Sequence, residues 1–303
     1  MTERPWITPH AAELERLSTE LSGTQLQSLL LEVMRRRAQV RAPSEVLAQY
    51  EADPFCAPGL VDLRTSTAID GHLLTAADAF EAIELAPVAP LGTCSAVALT
   101  DQHRVVTALR RTEVVSDPTN VMALECARRL RQHPNAPVHL ATSQRVLRAQ
   151  PVKKRPAHSQ HFRLFALASG GRERKAHAFS VETLLLHIRS MQRALSRLEQ
   201  HGYAFGARHV VLLATPERRP VAEEVAHQLG GDVRVSQLEH PYYSGGIRYQ
   251  LWVTPPSAAE ALPLIDGGRF DWLTKLAHNR RLVFIASGAG SQLIPLQFAV
   301  NSR

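Results

Sequence analysis

The sequence contains no run of apolar residues long enough to cross a bilayer, and its opening stretch MTERPWITPH has no apolar secretory core. The cytoplasm is therefore the expected location, and no membrane partner is expected. Cysteine is scarce: Cys56, Cys94 and Cys126 lie far apart and match no zinc or redox spacing. All three are expected to be reduced and buried as small apolar residues. His158-x-x-His161 has no carboxylate or third ligand at matching spacing, so no metal site is expected. Ser287-Gly-Ala-Gly290 has the glycines of a phosphate loop without the Walker lysine or the full dinucleotide fingerprint. No serine–histidine–acid or cysteine–histidine order stands out. Internal repeats and low-complexity tracts are also missing, which excludes solenoids and long disordered tails.

What remains is an ordinary globular composition, 45% apolar and 21% charged over 303 residues, suited to one large domain or to one with a small appendage. The net charge of +7 and pI near 9.8 favour an anionic partner, whether nucleic acid, nucleotide or an acidic protein face. The excess is dispersed in short clusters such as Arg35-Arg36-Arg37, Lys153-Lys154-Arg155 and Arg280-Arg281, so it singles out none of these.

Apolar periodicity divides the chain. Residues 10 to about 52 read as helices, broken at Ser22-Gly23 and stopped at Pro43, with Ser44 as cap of a third helix. The arginine triplet falls on a solvated face, and the apolar stripe is expected to pack on another surface. Residues 1–57 are thus a helical N-terminal appendage to a core spanning 58–303. Within the core, helices are expected over 69–80, 117–131, 181–201, 221–229, 272–277 and 292–299, with strands over 111–115, 138–147, 161–168, 210–214, 233–238, 247–253 and 282–286. Residues 96–99 and 104–109 read as a hairpin around Thr100-Asp-Gln-His103, and Ser169-Gly-Gly-Arg172 as a hairpin turn, with an anion nest as the alternative. Strands grouped as hairpins with helices between the groups indicate an α+β fold with an antiparallel sheet flanked by helices.

Two stretches draw attention within this frame. Glu239-His-Pro-Tyr-Tyr-Ser-Gly-Gly precedes the strand that starts at Ile247, and Asp266-Gly-Gly-Arg-Phe-Asp271 follows downstream. Tyrosines supply a flat apolar wall with a polar tip, and glycines let backbone approach a ligand. The two stretches read either as tight turns between strands or as a small polar pocket floored by a sheet.

In order along the chain, these pieces resemble the class II aminoacyl-tRNA synthetase core in its histidyl-tRNA synthetase-like branch, over roughly residues 65 to 300. That branch includes the regulatory subunit of ATP phosphoribosyltransferase, which has the fold without synthetase activity. Ile83 to Pro87 is similar to the first motif, whose strand proline lies at the dimer interface. Asp117-Pro-Thr119 stands where the family has Glu-Gly-Thr, which holds the substrate α-amino group. Leu147-Arg148-Ala149-Gln150 resembles the second motif, with Arg155-Pro156 and Phe162-Arg163-Leu164-Phe165 as its basic loop and returning strand. Tyr242-Tyr243-Ser244-Gly245 and Gly267-Gly268-Arg269-Phe270-Asp271 are similar to the branch's Tyr-Tyr-Thr-Gly and Gly-Gly-Arg-Tyr-Asp, which line the amino-acid pocket.

The resemblance implies a substrate-binding set of Asp117, Thr119, Arg148, Gln150, Arg163, Tyr242, Tyr243, Gly245, Gly268 and Arg269, with no catalytic residue assigned. It also implies a homodimer. Three departures bear on activity. The arginine ahead of the tyrosine pair is replaced near Leu238, Gln150 replaces an ATP-holding glutamate, and Gln292 or Leu293 replaces the arginine that clamps ATP phosphate. Losing one such charge-assisted clamp typically removes about 3 kcal/mol of transition-state stabilisation, so adenylate formation is not expected and ATP is a doubtful ligand. The chain also ends soon after this motif, so no anticodon-binding domain is expected. The expectation is a catalytically degenerate paralogue that binds an amino acid, histidine or a relative, and acts through a catalytic protein partner. Two rivals stay open, namely a divergent ATP-dependent amino-acid activating or ligating enzyme and a tRNA- or RNA-binding module.

Overall fold

The computed structural model describes residues 7–149 and 159–300, so Gln150, Arg155, Pro156 and His158 lie outside the described residues. Three helices come first: α1 (Ala11–Glu15, continuing into a π-helical turn), α2 (Gly23–Gln39) and α3 (Pro43–Ala52). Ser22 starts α2 through a capping box in which its hydroxyl accepts from Gln25 N and the Gln25 side chain accepts from Ser22 N. The third helix begins at Pro43 with Ala42 before it, not at a Ser44 cap, because proline fits a first turn where no N–H is needed. Arg35 and Arg36 both pair with Glu32 on the solvated face. None of the three helices has a buried residue, and Val33, Met34 and Val40 stay exposed.

The core opens with α4 (Leu63–Ala76), started by the Asp62 carboxylate on the N–H groups of Arg64 and Thr65. Next come β1 (Glu81–Ala82), β2 (Val88–Pro90), β3 (Thr107–Ala108), β4 (Thr112–Val114) and α5 (Pro118–Gln132). The central part holds β5 (Val138–Leu147), β6 (His161–Arg172), α6 (Ala178–Glu199), β7 (Arg208–Ala214), α7 (Arg219–Leu229) and β8 (Val233–Gln237). The chain closes with β9 (Ile247–Val253), β10 (Leu262–Phe270), α8 (Trp272–Ala277), β11 (Leu282–Ala289) and α9 (Leu293–Gln297). Among the described residues no helix is long and apolar enough to cross a membrane.

Eight strands form one sheet in the order β1-β5-β6-β11-β10-β9-β7-β8, antiparallel except for the parallel pairs β1–β5 and β7–β8. A small antiparallel sheet, β2-β4-β3, stands beside it. The architecture is therefore the α+β sheet with flanking helices that the patterning indicated. Alternation along β11 shows how two cores share the sheet. Val283 and Ile285 join Leu184, Ile188 and Leu195 of α6 on one face, while Phe284 and Ala286 join Met122 and Cys126 of α5 and Trp272 of α8 on the other. Each such aliphatic or aromatic side chain contributes about 1.5–3 kcal/mol on full burial.

Several local expectations change. Residues 93–97 form a π-helical turn instead of a hairpin arm, because the buried Glu113 carboxylate takes the N–H groups of Gly92 and Cys94 at 2.8 and 2.9 Å. The real β3–β4 turn falls at Arg110 and Arg111, both at positive φ. Gly170 and Gly171 lie inside β6 and not in a turn: a Cβ on Gly170 would come within 2.7 Å of Leu273, and one on Gly171 within 2.6 Å of Phe179. These glycines let helices approach the sheet on both faces. Asp266 to Phe270 likewise belongs to β10, and Ser287 to Ala289 to β11. Cys94 and Cys126 are buried as expected, whereas Cys56 is exposed in the connector before α4.

Candidate ligand-binding site

The N-terminus of α5 supplies the first wall of a cavity of about 410 Å³. Asp117 caps that helix, with Oδ1 accepting from Thr119 N at 3.0 Å and from Thr119 Oγ1 at 2.7 Å. Its other oxygen, Oδ2, faces the Tyr242 hydroxyl at 3.5 Å. Asn120, one helical turn from Asp117, is 1% exposed and lines the same cavity. Its amide nitrogen donates to Cys94 Sγ at 3.2 Å, and its Oδ1 has no partner among the described residues. Cys94 also meets Ser116 Oγ at 2.9 Å, and burial pushes its thiol pKa up. It is a packed acceptor in this setting, not a reactive thiolate.

The tyrosine pair forms the second wall. The two rings meet edge to face at 5.4 Å and rest on Phe270, which stacks on Trp272 at 4.1 Å. Tyr243 donates to Asp266 Oδ1 at 2.6 Å, and Arg248 Nε donates to the same oxygen at 3.0 Å while its guanidinium lies 4.9 Å from the Tyr243 ring centre. Burial, followed by Asp117 for Tyr242 and by Asp266 for Tyr243, raises both phenol pKa values far above the ordinary range. Both hydroxyls therefore stay protonated, and both are already committed to carboxylates. The glycine pair behind them makes room. A Cβ on Gly268 would lie 2.3 Å from Ile247 O and 2.6 Å from the Tyr243 ring, and one on Gly267 would lie 2.6 Å from both Ser287 Oγ and the Tyr249 ring.

Two cations complete the lining. Arg148 Nε donates to Ser116 O at 3.1 Å, its guanidinium lies 5.1 Å from the Phe162 ring centre, and Arg104 lines the cavity as well. The cavity thus presents Asp117 and Asp266 together with Arg104 and Arg148. Carboxylates and guanidiniums in one small space suit a ligand that carries both signs.

Of the residues expected from the sequence, Asp117, Thr119, Arg148, Tyr242 and Tyr243 come together at this cavity. Arg163, Gly245, Gly268 and Arg269 are not part of its lining. Strand alternation explains Arg163: its neighbour Leu164 faces the cavity, whereas Arg163 points to the opposite face and pairs with Asp70 of α4 at 2.7 Å. Burial outweighs Ser143 and Arg163 there and raises the Asp70 pKa, so the pair orients α4 on the sheet without being a large source of stability. Arg269 also projects away from the cavity. It donates to Gly245 O at 2.9 Å and receives Gly245 N on its own carbonyl at 3.0 Å, which ties the tyrosine loop to β10. Burial, then Arg218, pushes its pKa down to about 10. Gly245 is required by that tie, since a Cβ would lie 2.5 Å from the Arg269 carbonyl.

Sequence reasoning missed Asn120, Cys94, Ser116, Arg104 and Arg248, and it quoted Asp266 without assigning it a role. Asn120 had a usable signal, because three residues after a helix cap falls on the same face. Among the described residues no group of three or more His, Cys, Asp or Glu side chains gathers that could hold a metal ion.

The fold is that of the class II aminoacyl-tRNA synthetase core. One solved structure with this architecture is an ATP phosphoribosyltransferase regulatory subunit/histidyl-tRNA synthetase from Bacillus halodurans, with a TM-score of 0.57 and 14% identity over 80% of this chain and 81% of that one. Another is a histidine–tRNA ligase subunit from Alicyclobacillus acidocaldarius, with a TM-score of 0.58 and 11% identity over 79% of this chain and 96% of that one. A third is apo histidyl-tRNA synthetase from S. aureus, with a TM-score of 0.56 and 12% identity over 77% of this chain and 66% of that one. No protein-family model matches the sequence, and no curated protein matches it.

Proposed function

We propose that this protein is a class II synthetase paralogue that binds an amino acid, histidine or a relative, and acts as a regulatory or binding subunit on a catalytic protein partner. The observation that carries this reading is the uneven equipment of the site. Its amino-acid half keeps Asp117, Thr119, Tyr242 and Tyr243 around one cavity. Where the resemblance expects the arginine that clamps ATP phosphate, Gln292 is buried and donates to Ser159 Oγ at 3.3 Å; Leu238, near which the arginine ahead of the tyrosine pair is replaced, is packed into the core. A neutral amide cannot offset charge developing on a phosphate.

In this reading the ligand ammonium donates to Asp117 Oδ2 and to the unpaired Asn120 Oδ1, while Arg148 faces the ligand carboxylate. The Tyr242 and Tyr243 rings form the side-chain wall, and the Asp266 carboxylate offers an acceptor to a side-chain N–H. Arg163, Gly245, Gly268 and Arg269 then serve by holding α4, the tyrosine loop and β10 in place. A homodimer through the segment around Ile83 to Pro87 belongs to the same proposal, and so does a short-form ATP phosphoribosyltransferase catalytic subunit as the partner. Mixing the protein with such a subunit should raise its phosphoribosyl transfer and make it sensitive to histidine. Unchanged turnover at a several-fold molar excess would remove the partner from the proposal. Pyrophosphate exchange with a panel of amino acids should show no amino-acid-dependent signal, and a clear one would favour the divergent enzyme instead.

A further inference from the structure

On the sheet face covered by α6, five polar groups from five elements form one hydrogen-bonded chain. The Tyr249 hydroxyl donates to Ser287 Oγ at 2.7 Å, and Ser287 Oγ meets His187 Nδ1 at 2.7 Å. His187 Nε2 meets Ser169 Oγ at 2.8 Å, and Ser169 Oγ meets His139 Nδ1 at 2.7 Å. Tyr249, Ser287, His187 and Ser169 are at most 1% exposed, and His139 alone is only half-buried. Burial keeps His187 neutral by pushing its pKa down to about 3.

Proton counting fixes the direction of the chain. Each hydroxyl and each neutral imidazole carries one proton, so five protons serve four bonds. Tyr249 has no other acceptor among the described residues and must donate to Ser287. If His187 donated from Nδ1, the Ser287 proton would be buried with no acceptor among the described residues, which is strongly disfavoured. Ser287 therefore donates to Nδ1, His187 donates from Nε2 to Ser169, and Ser169 donates to His139 Nδ1. The surplus proton resides on His139 Nε2, at the one end of the chain that is not enclosed.

His139 lines a cavity of about 420 Å³ together with Asn135, Arg172, Arg174, Glu182 and Thr183. Donors outnumber acceptors in it. Arg172 uses Nε on Pro134 O at 3.0 Å, and its terminal nitrogens have no protein partner among the described residues; Glu182 is taken by Arg174. Among the described residues Glu81 is a further carboxylate near His139, in an adjoining cavity with His133, and Arg129 holds it.

We propose that this cavity binds a small oxyanion, a carboxylate or a phosphate, with His139 Nε2–H as the donor aimed by the chain and Arg172 and Asn135 as its companions. Titrating full-length protein labelled with ¹⁵N-histidine tests it, using inorganic phosphate in one arm and acetate in the other at constant ionic strength. The free protein should show His139 as the Nε2–H tautomer, and at least one anion should shift its resonances saturably. Saturation by phosphate alone, or by acetate alone, would identify the class. Arg172→Ala, a change at an exposed side chain, should weaken that anion about tenfold. Ser169→Ala, which releases Nδ1, should mix the two tautomers. A His139 Nδ1–H tautomer in the free protein, or shifts that neither saturate nor respond to Arg172→Ala, would overturn the proposal. No amino-acid ligand enters the experiment, so its failure would leave the proposed function standing.

Discussion

Asp117 does two things at once: it caps α5 through Oδ1 and keeps Oδ2 on the cavity side. Two substitutions separate them. Asp117→Ser keeps a capping oxygen and should hold stability within about 0.5 kcal/mol, whereas Asp117→Ala should cost about 1 kcal/mol. Both remove the carboxylate, so both should lose the bound amino acid, as read by thermal shift with and without histidine. Retained ligand response in Asp117→Ser would separate the carboxylate from binding. Tyr243→Phe removes one of the bonds to Asp266 and leaves the Arg248 pair, so urea unfolding should show a loss of about 1 kcal/mol. At this scale the sequence was legible where a residue type has few uses. Adjacent tyrosines before glycines raised a pocket as one of two readings, and Asp117 was reached as a site residue through the resemblance. Arg163 was not legible, since its face depends on strand register and its partner Asp70 lies 93 residues away along the chain.

At the scale of elements, β10 separates pattern from cause. Its Asp-Gly-Gly-Arg run reads either as a turn or as part of a pocket floored by a sheet, and it sits in mid-sheet between β9 and β11. The glycines are there because Tyr243 presses on one face of the strand, and Tyr249 with Ser287 on the other. Gly267→Ala and Gly268→Ala should each destabilise by about 1–3 kcal/mol through overpacking. The shift should appear as a lower denaturant midpoint at unchanged m-value, and a neutral Gly268→Ala would contradict the close approach of the tyrosine ring. Strands with plain alternation behaved differently. β5 covers the residues its pattern indicated, Val138–Leu147, and β9 starts at Ile247 as expected. The segment 93–109 was hidden because a single buried carboxylate, Glu113, organises it from a distance in the chain.

At the scale of the whole molecule, the order of elements was readable as α+β and the resemblance implied that Asp117 and the tyrosine pair share a site, but the sheet order that brings α5, the tyrosine loop and β10 around one cavity was not legible in the sequence. The buried chain through His187 sets a stability limit for the entire core. The His187 pKa falls from 6.5 to about 3 on folding, so the unfolded chain binds the proton more tightly. Its contribution is fully present above pH 6.5 and is lost as pH falls towards about 3. The loss is about 1.4 kcal/mol for each pH unit in that window. Unfolding free energies measured between pH 7 and 4 should carry this slope, and His187→Gln should flatten it; an unchanged slope would mean that His187 does not titrate as its burial requires.

Isothermal titration of the full chain with histidine, alongside Asp117→Ser at matched stability, tests the central claim most directly. The amino-acid half of the site predicts saturable heat in the native protein and none in the variant. No heat and no thermal shift at millimolar histidine or related amino acids would contradict it.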